Sequence, residues 1–178
     1  MKLQQILIDE QNNNEIIFSS PDFSQTKANL VLAFGERELL ESSMPYAKLK
    51  ELYSEAQIVI CSTSGQVSNF NLVDNKIVST AIEFEKSTIK IAEIDLLQNK
   101  NIEHLGLVVK NELLNSNLKS IVVISEGSFV NGTELVSELV KHTNYSIPIF
   151  GGLAGDRVAF LKTIVGLNQD AKEGKVVV

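Results

Sequence analysis

The sequence contains no tryptophan, one cysteine, two histidines, three prolines and two arginines in 178 residues. Each scarcity excludes something. Cys61 on its own cannot form an internal disulfide, which points to a reducing cytoplasm rather than a secreted, cross-linked scaffold. Arg37 and Arg157 are the only arginines and the net charge is −6, so there is no clustered basic face of the kind that holds nucleic acid. No apolar run approaches the ~18 residues of a membrane span. The opening MKLQQILIDE lacks the long apolar core and small-residue cleavage site of a signal peptide. No set of His, Cys, Asp and Glu has metal-ligand spacing. What is present is 44% apolar and 21% charged residues, the balance of an ordinary globular domain with enough chain for a sizeable core.

Residues 1–29 read as an irregular N-terminal segment with short strands at 3–8 and 16–18, the polar run 12–14 between them, and a turn at 19–22. From residue 30 the pattern is legible. LVLAFG (30–35) is a continuous apolar run closed by glycine, which suits a central strand covered on both faces. Ser42 or Ser43 is placed to cap a helix with Pro45 in its first turn, burying Tyr46, Leu49 and Tyr53 in one stripe. QIVIC (57–61) is the next strand and runs into Ser62-Thr63-Ser64-Gly65. Segments 76–84 and 87–96 read as a hairpin around Glu85 and Lys86. Ile102, Leu105, Val109 and Leu113 mark an amphipathic helix of about four turns.

SIVVIS (120–125) is another buried strand. Asn131 followed by Glu134 has the capping-box pattern, with Leu135, Val136, Leu139 and Val140 expected to face inward. IPIFGGLAGD (147–156) reads as a buried strand ending in paired glycines, followed by strands at 160–165 and 175–178. The fold class expected is α/β: mixed β-sheets with covering helices, built from strand–helix–strand units.

Two stretches of this order look alike. LVLAFG, a helix, QIVICSTSG and a later strand mirror SIVVIS, a helix, IPIFGGLAG and a later strand, with 27 positions from Phe34 to Cys61 and 26 from Ile124 to Phe150. Right-handed crossovers of this type gather their turns at the carboxyl ends of the strands, where open α/β sheets hold ligands. The turns at 62–65 and 151–155 are therefore expected side by side.

These motifs resemble the N-terminal part of the FIST sensory domain, over about residues 30–178. GGLAGD is the most specific piece, and CSTSG and NGTEL support it. The resemblance implies an intracellular signal-transduction module that binds a small ligand such as an amino acid. Members of that family are fused to, or encoded with, histidine kinases, chemoreceptors or cyclic-dinucleotide enzymes, and haem-binding nitric-oxide sensors occur among them. This sequence departs from the family at Ile60, where a glycine is usual. It also lacks the longer N-terminal helix, and the family pattern normally continues into a C-terminal half. An apolar Val176-Val177-Val178 is expected to complete the sheet, and a fragment lacking that half is expected to self-associate.

The candidate ligand-binding set is Cys61, Ser62, Thr63, Ser64 and Gly65 in the first turn, Asn131 at the helix start, and Gly151, Gly152, Leu153, Ala154, Gly155 and Asp156 in the second. Each has a plainer reading. The glycines suit a tight connection, the hydroxyls can bond locally to the backbone, and a buried free cysteine behaves as a small apolar residue. Four readings stand in contrast, the last of them a structural or interaction domain that binds no ligand and has no pocket where the two turns meet. The first is a non-enzymatic, cytoplasmic sensor for a small polar ligand, with no metal and no obligatory cofactor. The second is a haem-binding gas sensor using His104 or His142, although His104 lies on the polar side of its helix and His142 near a helix C-terminus. The third is a small hydrolase or transferase with Cys61 or Ser62 as nucleophile, which needs a base within hydrogen-bonding reach. The expected partners are the ligand, a signalling protein of the kinds named above and the C-terminal half, with neither nucleic acid nor membrane.

Overall fold

The computed structural model describes residues 1–98, 102–143, 146–158 and 161–178. In chain order it contains β1 (Lys2–Ile8), β2 (Asn14–Ser19), β3 (Leu30–Gly35), α1 (Arg37–Ser43), α2 (Tyr46–Leu52), β4 (Gln57–Ser62), β5 (Gln66–Ser68), β6 (Asn71–Val73), β7 (Ile77–Glu83) and β8 (Glu93–Asp95). These are followed by α3 (Ile102–Val108, continued by a π-helical turn, Val109–Leu113), β9 (Ile121–Ser125), α4 (Gly132–Thr143), β10 (Ile149–Leu153), β11 (Val165–Leu167) and β12 (Lys175–Val177). The fold is α/β. A first sheet runs β11-β4-β3-β7-β1-β2, a second runs β10-β9-β12-β8, and β5 and β6 form a separate hairpin.

Apolar periodicity explains the layers. The helix-facing residues Val31, Ala33, Ile58, Ile60, Ile77 and Ala81 of the first sheet bury against Leu40, Leu49 and Tyr53. Ile94, Ile121, Val123 and Val176 of the second sheet bury against Leu105, Val109, Leu135 and Leu139. A third, smaller cluster joins Val59 and Cys61 of the first sheet to Ile124, Ala154, Val165 and Val177. The order is therefore helices, sheet, sheet, helices.

Each sheet holds the same four-strand pattern. In the first, β3 pairs parallel with β4 and antiparallel with β7, and β7 pairs antiparallel with β1. In the second, β9 pairs parallel with β10 and antiparallel with β12, and β12 pairs antiparallel with β8. The repeat read in the sequence is thus a repeat of topology. Phe34 lies opposite Cys61, and Ile124 lies opposite Gly152. The turns agree with this alignment. Thr63 N–H donates to the Gly35 carbonyl (3.0 Å), and Ala154 N–H donates to the Ser125 carbonyl (2.7 Å). Cys61, Ser62, Thr63 and Ser64 therefore correspond to Gly152, Leu153, Ala154 and Gly155.

Several expectations are corrected. Residues 87–96 do not form a hairpin with β7, because β3 and β1 already occupy both edges of β7. They cross to the second sheet, where Ile94 pairs with Val176. Ser43 ends α1 rather than capping α2, and its hydroxyl donates to the Leu39 carbonyl (2.7 Å). The start of α2 is held instead by Asp170, whose Oδ1 accepts from Tyr46 N–H (3.0 Å). β10 is an exposed edge strand, not a buried one. β3 is central, yet only alternate residues are buried, Leu30, Leu32 and Phe34 being partly exposed. In α4, Leu135 and Leu139 face inward but Val136 is exposed, since the apolar stripe is narrower than four residues. The strand expected at 160–165 is Val165–Leu167, with Phe160 outside the described residues. Residues 1–29 carry β1 and β2, and Ile6 and Ile8 sit in the first core. Val176 and Val177 do complete the second sheet, in its interior.

Candidate functional site

The parallel pairs β3/β4 and β9/β10 both end in short turns, and the two turns touch. Gly155 N–H donates to the Ser62 carbonyl (3.1 Å). On the same serine, Ile164 N–H donates to Oγ (3.0 Å) and Ser62 N–H donates to the Ile164 carbonyl (2.9 Å). The side-by-side placement expected for the two turns is thus present, centred on residues 62–64 and 154–156. Gly151 and Gly152 lie within β10. Gly151 has φ +133°, and a Cβ there would overlap the Val123 backbone; only glycine suits that conformation.

Charge fastens the junction. Arg37 Nε donates to Asp156 Oδ1 (2.7 Å), and both side chains are buried. Asp156 Oδ2 accepts from the Leu161 and Lys162 amides (2.9 and 3.2 Å). Arg37 also reaches Glu41 Oε2 (2.8 Å), and Lys162 pairs with the other oxygen of Glu41. Arg157 joins Glu36 (2.6 Å) and Asp74. Burial alone would raise the Asp156 pKa. The Arg37 hydrogen bond and the two amides outweigh that and hold the carboxyl below its ordinary value, while the bond to Asp156 raises that of Arg37. Sequence reasoning missed Arg37. The available signal was rarity: the two arginines of the chain both lie at this junction.

A second network borders it. Glu126, directly after β9, is fully buried. Its carboxylate accepts from the Ser128 and Phe129 amides (2.8 Å each) and from the Thr163 hydroxyl (3.3 Å). Glu36 holds the equivalent position after β3 and accepts from Asn75 N–H (3.1 Å).

Many candidate residues are engaged in holding shape. Ser62 Oγ binds the Ile164 amide, Asp156 is saturated, and Asn131 caps α4 through the Thr133 and Glu134 amides (2.9 and 3.3 Å). Thr63 Oγ1 bonds locally to Gly65, and Ala154 packs between the sheets. Cys61 is buried, its thiol donates to the Ser62 carbonyl (3.2 Å), and burial pushes its pKa up to about 12. Ser64, Gly65, Gly152 and Leu153 keep open surface at the strand ends. Two cavities, of 530 and 370 Å³, lie elsewhere; the larger is lined by Leu96, Leu97, Ile102, Phe129, Val130, Asn131 and Glu134, so it shares only Asn131 with the candidate set.

The histidines sit in the second unit, away from the turns. His142 Nε2 is bonded to Glu138 Oε1 (2.8 Å), and the ring packs against Gly106 where α3 and α4 meet. His104 is exposed. Among the described residues no group of three or more His, Cys, Asp and Glu could hold a metal ion, and no helix is long and apolar enough to cross a membrane.

A family model described as FIST N domain matches residues 29–178. The chain belongs to that family. FIST domains are sensory domains of signal transduction. No curated protein and no solved structure matches this chain.

Proposed function

We propose that this FIST domain is a non-enzymatic cytoplasmic sensor that binds a small polar molecule, with amino acids as the first class to test. The ligand would lie over the open surface of Ser64, Gly65, Gly152 and Leu153. Occupancy would pass to a signalling partner such as a histidine kinase, a chemoreceptor or a cyclic-dinucleotide enzyme. The observation that supports this most is the bond from Gly155 to Ser62, which joins the two repeated turns into one surface. Pressure on Ser64 or Gly155 has a physical route onward, because Asp156 is the next residue and its buried bond to Arg37 fixes α1. Catalysis is disfavoured by the same geometry. A thiol held at a pKa of about 12 is protonated at neutral pH, and the Ser62 hydroxyl is fixed by a backbone amide with no histidine beside it.

The experiment is a thermal-shift screen of the twenty amino acids against the chain. A ligand present at 100 times its Kd stabilises by about 2.7 kcal/mol, which raises Tm by roughly 5–10 °C for a chain of this size. Ser64→Ala should diminish the shift with little change in the unliganded Tm. No shift with any amino acid would refute the ligand class. A shift that is equally large in Ser64→Ala and Ser64→Lys would refute the site.

A further inference from the structure

The two repeated units differ in one respect: what covers their outer parallel strand. In the first unit β4 is covered by the second unit. β11 pairs antiparallel with it, Val165 opposite Cys61 and Leu167 opposite Val59. The outward backbone groups of β4 are satisfied there. Asn168 N–H donates to the Ile58 carbonyl (2.8 Å), Ser62 N–H to the Ile164 carbonyl (2.9 Å), and Ile58 N–H to Asn168 Oδ1 (2.9 Å).

In the second unit the equivalent strand is β10. Its inner edge bonds to β9, with Ile121 N–H to the Pro148 carbonyl (2.9 Å) and Ala154 N–H to the Ser125 carbonyl (2.7 Å). In-register parallel pairing alternates the bonding side along a strand, so the amides and carbonyls of Ile149, Gly151 and Leu153 point away from β9. They occupy the positions of Ile58, Ile60 and Ser62. Among the described residues no strand pairs with that edge. The side chains repeat the contrast: Val59 is 2% exposed, while its counterpart Phe150 is 59% exposed.

The complementary element is in the first unit. β11 is supplied by the insertion between β10 and β12. The corresponding insertion, between β4 and β7, is the β5–β6 hairpin. It is a two-stranded sheet with Val67, Phe70 and Leu72 exposed, tied to the first sheet through Ser68 Oγ donating to Gln5 Oε1 (3.1 Å). Such a ribbon gains by joining a larger sheet. Among the described residues the chain thus has an acceptor edge without a donor strand, in β10, and a donor ribbon without a larger sheet to join, in β5–β6.

We propose that β10 is an assembly edge that takes the first unit of a second copy of this chain, with the β5–β6 hairpin lying against β10 as β11 lies against β4. The contact is heterologous: each copy offers β10 to one neighbour and its hairpin to another, so association continues beyond a pair unless the rotation closes a ring. The pairing is β-strand addition, with main-chain bonds supplying affinity and Phe150 and Leu72 the apolar contact.

The test is sedimentation velocity over a concentration series with the chain and two variants, Phe150→Lys on the edge and Leu72→Lys on the hairpin. The unaltered chain should grow in mass with concentration, and each variant alone should stay monomeric. An equimolar mixture of the two should stop at a dimer, since one variant retains a working edge and the other a working hairpin. Circular dichroism checks that each variant folds, with Val122→Lys and Val67→Lys replacing any that does not. A strictly monomeric unaltered chain would overturn the proposal. So would a Leu72→Lys chain that associates like the original, which would indicate symmetric edge-to-edge pairing, or a mixture of folded variants that remains monomeric.

Discussion

Gly155 and Ser64 share a space too small for a side chain: a Cβ on Gly155 would lie 2.8 Å from the Ser64 backbone nitrogen. The obstacle is backbone, so no rotamer change relieves it. Gly155→Ala is expected to cost about 1–3 kcal/mol, the usual range for overpacking. Gly152→Ala has no atom within 4 Å of its new methyl group and is the matched control. Urea unfolding of both variants measures the contrast, and equal costs would mean that the turns are not packed as described.

Removing Arg37 strands a buried carboxylate. Arg37→Ala is expected to cost about 3–5 kcal/mol, the range for breaking a buried pair from one side. Arg37→Met combined with Asp156→Asn should recover a large part of that, because no uncompensated charge remains and the amide oxygen still accepts from the Leu161 and Lys162 amides. Chemical denaturation of the single and double variants decides it.

Acid should weaken the same contact. The folded-state pKa of Asp156 lies below its ordinary value, so the unfolded chain takes up the proton first. The stability this carboxylate contributes is complete above the unfolded value of about 3.9 and is lost as pH falls through the lower folded value. Glu41 shifts in the same direction. Stability measured between pH 6 and pH 2.5 should fall less steeply below pH 4 in Asp156→Asn than in the parent.

Cys61 should resist alkylation. A pKa of about 12 against an ordinary 9.0 lowers the thiolate fraction ~10³-fold near neutral pH, and thiolate is the reacting species. Iodoacetamide at pH 8 should label the thiol slowly in the folded chain and fast in urea. Rapid labelling of the folded chain would restore the nucleophile reading.

Glu126 holds two amides and a hydroxyl in a fully buried setting. Glu126→Ala leaves the Ser128 and Phe129 amides without acceptors, at roughly 1–3 kcal/mol each. Glu126→Gln keeps one acceptor oxygen and should cost less. Thermal melts of the pair report the difference.

The readable parts of this fold were those with uninterrupted apolar runs. LVLAFG is a strand with the expected bounds, and QIVICS and IVVIS are strands one residue longer and one residue shorter than expected, because burial on the helix face demands apolar residues whatever the neighbours are. Ile102 to Leu113 and the helix behind Asn131 were legible from the 3.6-residue period and the cap. α1 was not, since Arg-Glu-Leu-Leu-Glu-Ser-Ser has a thin apolar stripe and its key residue, Arg37, acts through a partner 119 positions away. The hairpin expected at 76–96 failed because propensity speaks for strands but not for which sheet has a free edge. IPIFGG looked buried and is exposed, since the sequence does not record which strand closes a sheet. The convergence of the two turns was readable from the repeat, whereas the structural employment of Ser62, Asp156 and Asn131 was not: a hydroxyl, a carboxylate or an amide looks the same in sequence whether it awaits a ligand or serves the backbone.

The pairing of β11 with β4 has a consequence for biosynthesis. Val165 lies opposite Cys61, 104 residues further along the chain. A ribosome that has released only the first unit has produced a sheet whose β4 edge is still bare, with Val59 and Cys61 waiting for partners yet to be translated. Contacts of such long range are slow to form, since closure entropy precedes their gain. The vulnerable species during synthesis is therefore the half-made chain, and the first half expressed alone should need a chaperone or aggregate, although it contains the larger helix-covered core.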